Sequence, residues 1–122
     1  MSEFTREYPS SQPQTADLKI NHLEKSATSL DFQSIKKVSM IFRALNHKLR
    51  QEIIRMIDKK GEASVSEIYV DMRLEQSVAS QHIAILRRAG LILPERNGKF
   101  MKYKLNSVRI DMMNQMVVDL LK

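Results

Sequence analysis

Two short helical segments separated by only three residues constrain the fold of this chain more than any other feature. Residues 64–67 read Ser-Val-Ser-Glu, a capping box in which the serine begins a helix and the glutamate completes its cap. This helix is predicted to run to about Met72, and residues 73–75 then leave room only for a tight connection. A second helix follows and is stopped at Gly90. Two helices joined by so short a turn predict a helix-turn-helix.

The spacing of apolar residues changes from a helical period to a strand period after Gly90. Two strand-like runs flank Asn97 and Gly98, and this pair predicts a type I′ hairpin turn, whose two central positions both require positive φ. Pro94 cannot donate a hydrogen bond within a sheet, so it is predicted at an edge or a bulge. The second run is predicted to pack one face and keep the other basic, with Met101, Tyr103 and Leu105 alternating with Lys102 and Lys104.

Helical periodicity on both sides of this unit completes the predicted architecture. Residues 1–15 contain prolines and polar residues without periodicity and are predicted to form a mobile tail. Further helices are predicted from about Ala16, after Asp31, from Asn46 or His47 to Gly61, and from about Ser107. The order of elements predicts a mainly α protein with a small β-hairpin, namely a winged helix-turn-helix, over residues 16–122.

The positive charge of the chain is concentrated in the part that is predicted to fold. The net charge is +6, yet residues 1–32 carry −2 and residues 33–122 carry +8. A basic body indicates a polyanionic partner, although a surface charge that keeps the protein soluble is the alternative. No run of apolar residues exceeds four, and the N-terminus lacks a secretory pattern. We therefore expect a cytoplasmic protein without a membrane segment.

The predicted helix over residues 76–89 has two chemically different faces. Its apolar face carries Ala79, Ile83 and Leu86. The opposite face is short and uncharged at its start and basic at its end, with Ser77, Ser80, Gln81, Ala84 and Arg88. A helix that enters the DNA major groove needs such a face, because short polar side chains reach base edges and a terminal arginine suits the flanking backbone. A merely solvated face is the alternative, but such faces more often carry Glu and Lys.

Two cations bracket the predicted tip of the hairpin. Arg96 and Lys99 flank the Asn-Gly pair, so a protruding loop carries charge suited to phosphates or to a minor groove. A solvated surface hairpin is the alternative. Because the helix and the hairpin both indicate nucleic acid, we expect double-stranded DNA as the partner.

Residues 38–105 resemble the ArsR/SmtB-type repressors of bacteria. Residues 44–50, Ala-Leu-Asn-His-Lys-Leu-Arg, are similar to the family's entry helix, with Lys48 where many members have proline. Residues 76–91 are similar to its recognition helix and exit, and residues 96–105 to its wing. The resemblance implies a repressor with base-contacting positions on the recognition helix and backbone contacts on the wing: Gln76, Ser77, Ser80 and Gln81, then Arg96 and Lys99.

The chain lacks the cysteine ligands of the family's metal sensors. Residues 64–66 read Ser-Val-Ser where such members have Cys-x-Cys, and the chain contains no cysteine. Zinc needs about four ligands, whereas His22, His47 and His82 lie in three different predicted helices. We expect His82 to be a hydrogen-bonded core residue and His47 a helix cap. The sequence therefore predicts no metal and no cofactor, and it leaves the inducing signal unidentified.

Both terminal helices carry apolar stripes that a domain of this size has little core to bury. The resemblance implies a homodimer, and we expect its interface on these stripes, comprising Ile20, Leu23, Ile110, Met113, Met116, Val117 and Leu120. Two-fold symmetry presents two recognition helices to successive major grooves of a near-palindromic operator. The alternative is that both stripes cap the core of their own monomer.

The predicted function is that of a dimeric, sequence-specific DNA-binding regulator of the ArsR type. Recognition helix 76–89 reads the major groove, and wing 94–102 contacts the flanking DNA. The alternative is a winged helix that binds another protein and no nucleic acid, which an acidic or apolar recognition helix would favour. An enzyme is not expected, since three glycines leave no phosphate-binding loop and there is no cysteine nucleophile.

Overall fold

The structure, a computed structural model, describes residues 29–122 and contains five helices and one antiparallel sheet within that range. The elements in chain order are α1 (Phe32–Leu45), α2 (Lys48–Lys60), β1 (Ala63–Ser64), α3 (Val65–Asp71), α4 (Gln76–Arg88), β2 (Ile92–Asn97), β3 (Phe100–Leu105) and α5 (Ser107–Leu120). Residues 36–122 form one compact unit. The predicted tail and the predicted helix from Ala16, with Ile20, His22 and Leu23, lie outside the described residues.

The order of these elements confirms the predicted winged helix-turn-helix. Helices α3 and α4 form the helix-turn-helix, and the β2–β3 hairpin forms the wing. The predicted capping box is present: Ser64 Oγ accepts from Glu67 N (3.1 Å), and Glu67 Oε1 accepts from Ser64 N (2.8 Å). His47 caps α2 as predicted, because its Nδ1 accepts a hydrogen bond from Leu49 N (3.2 Å).

The sheet has a third strand that was not predicted from the sequence. Its strand order is β1-β3-β2, and the two-residue strand β1 pairs Ala63 with Tyr103 and Ser64 with Lys102. Two residues are too few to show the alternation of apolar and polar side chains that predicts a strand. This strand is therefore defined only by its pairing with β3. Pro94 lies in β2, which is an edge strand, as predicted.

The predicted type I′ turn at Asn97 and Gly98 is wrong. Asn97 pairs with Phe100 as the last residue of β2, so the two central turn residues are Gly98 and Lys99. Among these residues only Gly98 has positive φ (67°). A type II′ turn needs positive φ at its first central position alone, which the glycine supplies without strain.

The two faces of β3 also differ from the expected packed and basic faces. Tyr103 is buried, but Met101 is exposed because β1 pairs only with Tyr103 and Lys102, leaving the wing tip beyond the core. Lys102 Nζ lies 3.7 Å from Glu67 Oε1, and Lys104 Nζ lies 2.8 Å from Glu95 Oε1. These two lysines are therefore ion-paired and do not form an open basic face.

The hydrophobic core lies where α2, α3, α4 and the sheet meet. Ile53 and Ile57 of α2, Ile68 of α3 and Leu86 of α4 are fully buried. Burying a side chain of this size stabilises a fold by about 1.5–3 kcal/mol, so these four residues define how the helices pack. No helix in residues 29–122 has the length and apolar character to cross a membrane.

Gly90 connects α4 to the wing in a conformation that only glycine adopts without strain. Its φ is 75°, and a Cβ at this position would lie 2.5 Å from Arg109 Nη1. That atom donates a hydrogen bond to Ala89 O (2.7 Å), so a larger residue at Gly90 displaces the arginine from the end of α4.

We predict that Gly90→Ala lowers the free energy of unfolding by more than Gly98→Ala does. Both substitutions force an alanine into positive φ, at a cost of about 1–2 kcal/mol. Only Gly90→Ala also disturbs Arg109, and the loss of a hydrogen bond from a charged donor adds about 1.5–3 kcal/mol. Urea denaturation of both variants measures the difference, and equal destabilisation would contradict the role of Arg109.

Candidate nucleic-acid interface

Helix α4 presents an uncharged polar face outward because its apolar face is anchored in the core. Ala79, Ile83 and Leu86 are buried, as predicted. The predicted base-contacting residues on the other side of the helix are all exposed: Gln76, Ser77, Ser80 and Gln81. A helix is rigid and its side chains recur every 3.6 residues, so burying one side fixes the direction of the other.

A strained turn sets the start of α4. Arg73 has φ 57°, a left-handed conformation that is uncommon outside glycine. The turn is closed by a hydrogen bond from Leu74 N to Tyr69 O (2.9 Å). The connection was predictable from the sequence but this conformation was not, since an arginine carries no signal for positive φ.

Two side chains from beyond the wing hold the end of α4. Arg109 Nη1 donates to Ala89 O (2.7 Å), and Asn106 Nδ2 donates to Gly90 O (2.8 Å). The last carbonyls of a helix lack partners within the helix and carry partial negative charge, so a cation there is favourable. Neither Arg109 nor Asn106 was predicted to contact α4, because neither lies near this helix in sequence.

The predicted DNA-contacting cations are not neutralised by neighbouring acids. Arg88, Arg96 and Lys99 are exposed, and none of them forms an ion pair within residues 29–122. Some lysines elsewhere on the surface are paired, as where Lys60 Nζ lies 3.0 Å from Asp71 Oδ2. The surface charge of α4 and the wing is therefore available to an external anion.

Glu67, the acidic residue of the capping box, both caps α3 and forms ion pairs with two lysines. The Ser64 backbone N–H, which donates to the Glu67 carboxylate, lowers the pKa of this group, with smaller contributions from Lys102 and Lys60. Glu67 therefore stays ionised and holds those two lysines near α3. Lys60 and Lys102 are therefore partly neutralised, and the unpaired cations of the described residues lie elsewhere on the surface.

Two histidines that were predicted to lie apart come together beside Arg50. The His47 and His82 rings are 4.9 Å apart, and Arg50 Nη1 donates to His82 Nδ1 (3.2 Å). A guanidinium can only donate, so His82 Nδ1 is unprotonated here. The pKa of His82 is lowered, first by partial burial and then by the nearby His47 and Arg50. His82 is thus hydrogen-bonded, as predicted, but it is only half-buried and does not belong to the hydrophobic core, in which it was expected from the sequence. The expectation of a core position is wrong because its ring lies against the exposed His47 and the half-buried Arg50.

The described part of the chain offers no arrangement of ligands for a metal ion. Within residues 29–122, no three His, Asp or Glu side chains cluster in a way that could hold one. Ser64, which occupies a cysteine position of the metal sensors that the chain resembles, is instead the N-cap of α3.

The predicted dimer residues of α5 differ in their burial. Met113 is buried and Ile110 is half-buried, and both pack on the core of their own chain. Met116, Val117 and Leu120 are exposed, with Leu120 78% exposed. The outer half of α5 therefore leaves an apolar surface uncovered in a single chain.

The fold and this surface define a winged helix-turn-helix, and comparisons with known proteins identify its family. Residues 47–93 match the arsR family of bacterial regulatory proteins. HlyU, a transcriptional activator of Vibrio cholerae, has a solved structure that superposes with a TM-score of 0.57 at 30% identity, covering 71% of this chain and 94% of that one. The chain belongs to the arsR family, which confirms the resemblance read from the sequence.

Two further comparisons define the extent of the similarity. The arsenical resistance operon repressor of Escherichia coli (strain K12) is 30% identical over 66 residues, which is 54% of this chain and 56% of that protein. The chain thus spans little more than half the length of that relative. A homodimeric winged helix-turn-helix DNA-binding domain from Mycobacterium bovis has the same fold, with a TM-score of 0.59 at 23% identity over 77% of this chain and 91% of that one. Because the family consists of regulatory proteins, the prediction that the chain is not an enzyme is confirmed.

We predict that the free energy of unfolding falls as the pH drops below the ordinary histidine pKa of 6.5. The pKa of His82 is lower in the folded chain, so the unfolded chain binds protons first and is favoured by acid. The stabilising contribution is complete above 6.5 and is lost as the pH falls through the folded pKa. Urea midpoints between about pH 7.5 and 5 measure this loss. His82→Gln should make the dependence shallower, and an unchanged slope would contradict the assignment.

Proposed function

We propose that this chain is a cytoplasmic, dimeric regulator of transcription that binds a near-palindromic DNA operator. The observation that carries this proposal is the outward, uncharged polar face of α4, together with exposed cations on α4 and the wing that form no ion pair within residues 29–122. DNA readers need both features, because base edges are read by hydrogen bonds while phosphates supply much of the affinity. A solvated helix face would need neither of them.

The two parts of the surface have different proposed roles. Gln81 can form two hydrogen bonds with adenine, and Ser77 and Ser80 are short enough to reach bases or phosphates in a major groove. Gln76 starts the helix, where N-terminal residues of recognition helices contact base edges. Arg88 at the helix end and the wing residues, Arg96 and Lys99, contact the flanking backbone.

The apolar surface of α5 supports the proposed homodimer. A contiguous patch of exposed apolar side chains on a soluble protein usually marks an interaction site. The exposed side chains on one side of α5 form such a patch, which comprises Met116, Val117 and Leu120. The Mycobacterium bovis relative with the same fold is described as homodimeric. The residues Ile20 and Leu23 remain part of this proposal as predicted from the sequence.

The named relatives regulate in opposite directions, one as a repressor and one as an activator. We propose repression, in which the bound dimer blocks access of polymerase to a promoter. Selection of bound sequences from a random DNA pool yields the operator, and transcription in vitro from a promoter carrying it then shows the direction. Loss of transcripts on adding the protein is expected, whereas a gain would assign activation.

We predict that operator affinity falls by about 10³–10⁵-fold between 50 and 200 mM salt for a dimer making about 6–10 phosphate contacts. Lys99→Ala should reduce the slope of log affinity against log salt by about one per lost contact. Gln81→Ala should leave the slope unchanged and relax the preference at one base step, at a cost of about 1–3 kcal/mol. Fluorescence anisotropy with operator and mismatched duplexes measures both effects.

Lys60→Ala is the matched control for the salt experiment. Lys60 is already paired with Asp71, and this contact is the largest cause of its raised pKa. Its removal should therefore leave the salt slope unchanged. A flat salt response of the unmodified protein, or equal effects of Lys60→Ala and Lys99→Ala, would contradict the proposed phosphate contacts.

We predict that Leu120→Glu converts the protein from a dimer to a monomer at micromolar concentration. Leu120 is largely exposed in the single chain, so a charge there leaves the fold intact but is unfavourable in an apolar interface. Val118→Glu is the matched control, because two residues along a helix turn the side chain by roughly 160° to the other side. Sedimentation velocity should show a monomer for the first variant and a dimer for the second. A monomeric unmodified protein would exclude this dimer.

A further inference from the structure

A cavity of about 540 Å³ lies between the second half of α1, the end of α4 and the start of α5. Its size falls within the range of small-molecule sites, about 300–1,000 Å³. Apolar side chains that include Met40, Ile41 and Ile85 line part of it. Of its described lining residues only Arg88 belongs to the proposed DNA contacts, and none belongs to the proposed dimer surface.

Two arginines of the cavity are held in place by helix carbonyls. Arg50 Nε donates to Ala44 O (2.6 Å), and Arg109 Nη1 donates to Ala89 O (2.7 Å). Each bond caps the end of a helix and fixes a guanidinium that is half-buried. Each guanidinium has five N–H donors, so both retain donors beyond those that the described residues use.

Three more cations lie around the same cavity. Lys37, Arg43 and Arg88 line it and are exposed, and no acidic residue from the described part of the chain lines it. None of these three cations forms an ion pair in the described part of the chain. Five positive side chains around one cavity repel each other unless an anion joins them.

We propose that this cavity binds a small amphipathic organic anion, with an oxyanion head group on the arginines and an apolar tail on the α1 and α4 side chains. An arginine fork matches the geometry of carboxylates and of phosphates. The apolar lining requires a tail as well, which neither inorganic phosphate nor the DNA backbone possesses. Fixed donors and preformed apolar walls lower the entropy cost of binding.

The ligand weakens operator binding, a consequence that rests on the proposed function. Arg88 lines this cavity and is also a proposed contact to the DNA backbone. An anion that engages Arg88 competes with the DNA phosphate and adds negative charge at the end of α4. Coupling between two sites on one protein is reciprocal, so the operator also weakens binding of the anion.

Isothermal titration of the full chain without DNA tests the site. Octanoate and octyl phosphate carry the tail with the two kinds of head group, octanol carries the tail alone, and acetate the head group alone. Octanoate, octyl phosphate or both should bind about tenfold more tightly than octanol and acetate. The reason is that a charge-assisted hydrogen bond and the burial of an apolar tail each raise the affinity by about tenfold or more. Whichever of them binds assigns the head group.

Substitutions in the chain locate the binding. Arg109→Gln should weaken binding of the anion by about tenfold, and circular dichroism checks that it folds. Arg43→Glu, at an exposed residue without an ion pair, reverses a charge of the cavity and should weaken binding without affecting the fold. Arg55→Glu is the matched control, since Arg55 is exposed on α2 and does not line the cavity. It should leave the affinity unchanged.

Several outcomes would overturn the proposal. Equal binding of octanol and octanoate would show an apolar cavity without anion recognition. Absence of binding at millimolar concentration, or equal effects of Arg43→Glu and Arg55→Glu, would show that the cavity is not an anion site.

Fluorescence anisotropy with operator DNA tests the coupling separately, and the anion should weaken operator binding about fivefold or more. A protein that binds the anion but no DNA would refute the proposed function and leave the site standing.

Discussion

Burial of the apolar side of α4 is the constraint on which the rest of the structure depends. Ile83 and Leu86 lose nearly all contact with water, and each such burial contributes about 1.5–3 kcal/mol. Turning the helix to hide Ser77 and Gln81 instead would forfeit this energy and bury polar groups without partners. The surface proposed to meet DNA is therefore positioned by the same packing that stabilises the domain, and any change in the core that rotates α4 also rotates that surface.

Local ion pairs decide where the positive charge of the body is available. Glu67 holds Lys60 and Lys102 near α3, and Glu95 holds Lys104 on the wing. Exposed pairs of this kind contribute little to stability. Their main effect is on the distribution of charge, because the cations at the end of α4 and at the wing tip form no such pairs within residues 29–122. A net charge alone could not have distinguished a specific anion-binding surface from a generally basic one.

The helix ends connect the proposed functions. Arg50 caps α1, Arg109 caps α4, and both also line the cavity between these helices. The same guanidinium groups that complete the backbone hydrogen bonding of the helices thus form part of the proposed anion site. An occupant of the cavity contacts the end of the proposed recognition helix directly, so no long chain of contacts is needed for it to influence DNA binding. Beside it, the contact between His82 and Arg50 links α2 to α4.

The sequence by itself determined the helices, the two sides of α4 and the presence of a hairpin. These features depend on interactions between residues a few positions apart, such as the cap between Ser64 and Glu67, and on periodic apolar residues. Only the tertiary structure decided the pairing of β1 with β3, the turn at Gly98, the meeting of His47 with His82 and the cavity. Each of these depends on residues distant in sequence, or on a register set by the partner strand, so no local pattern specifies them.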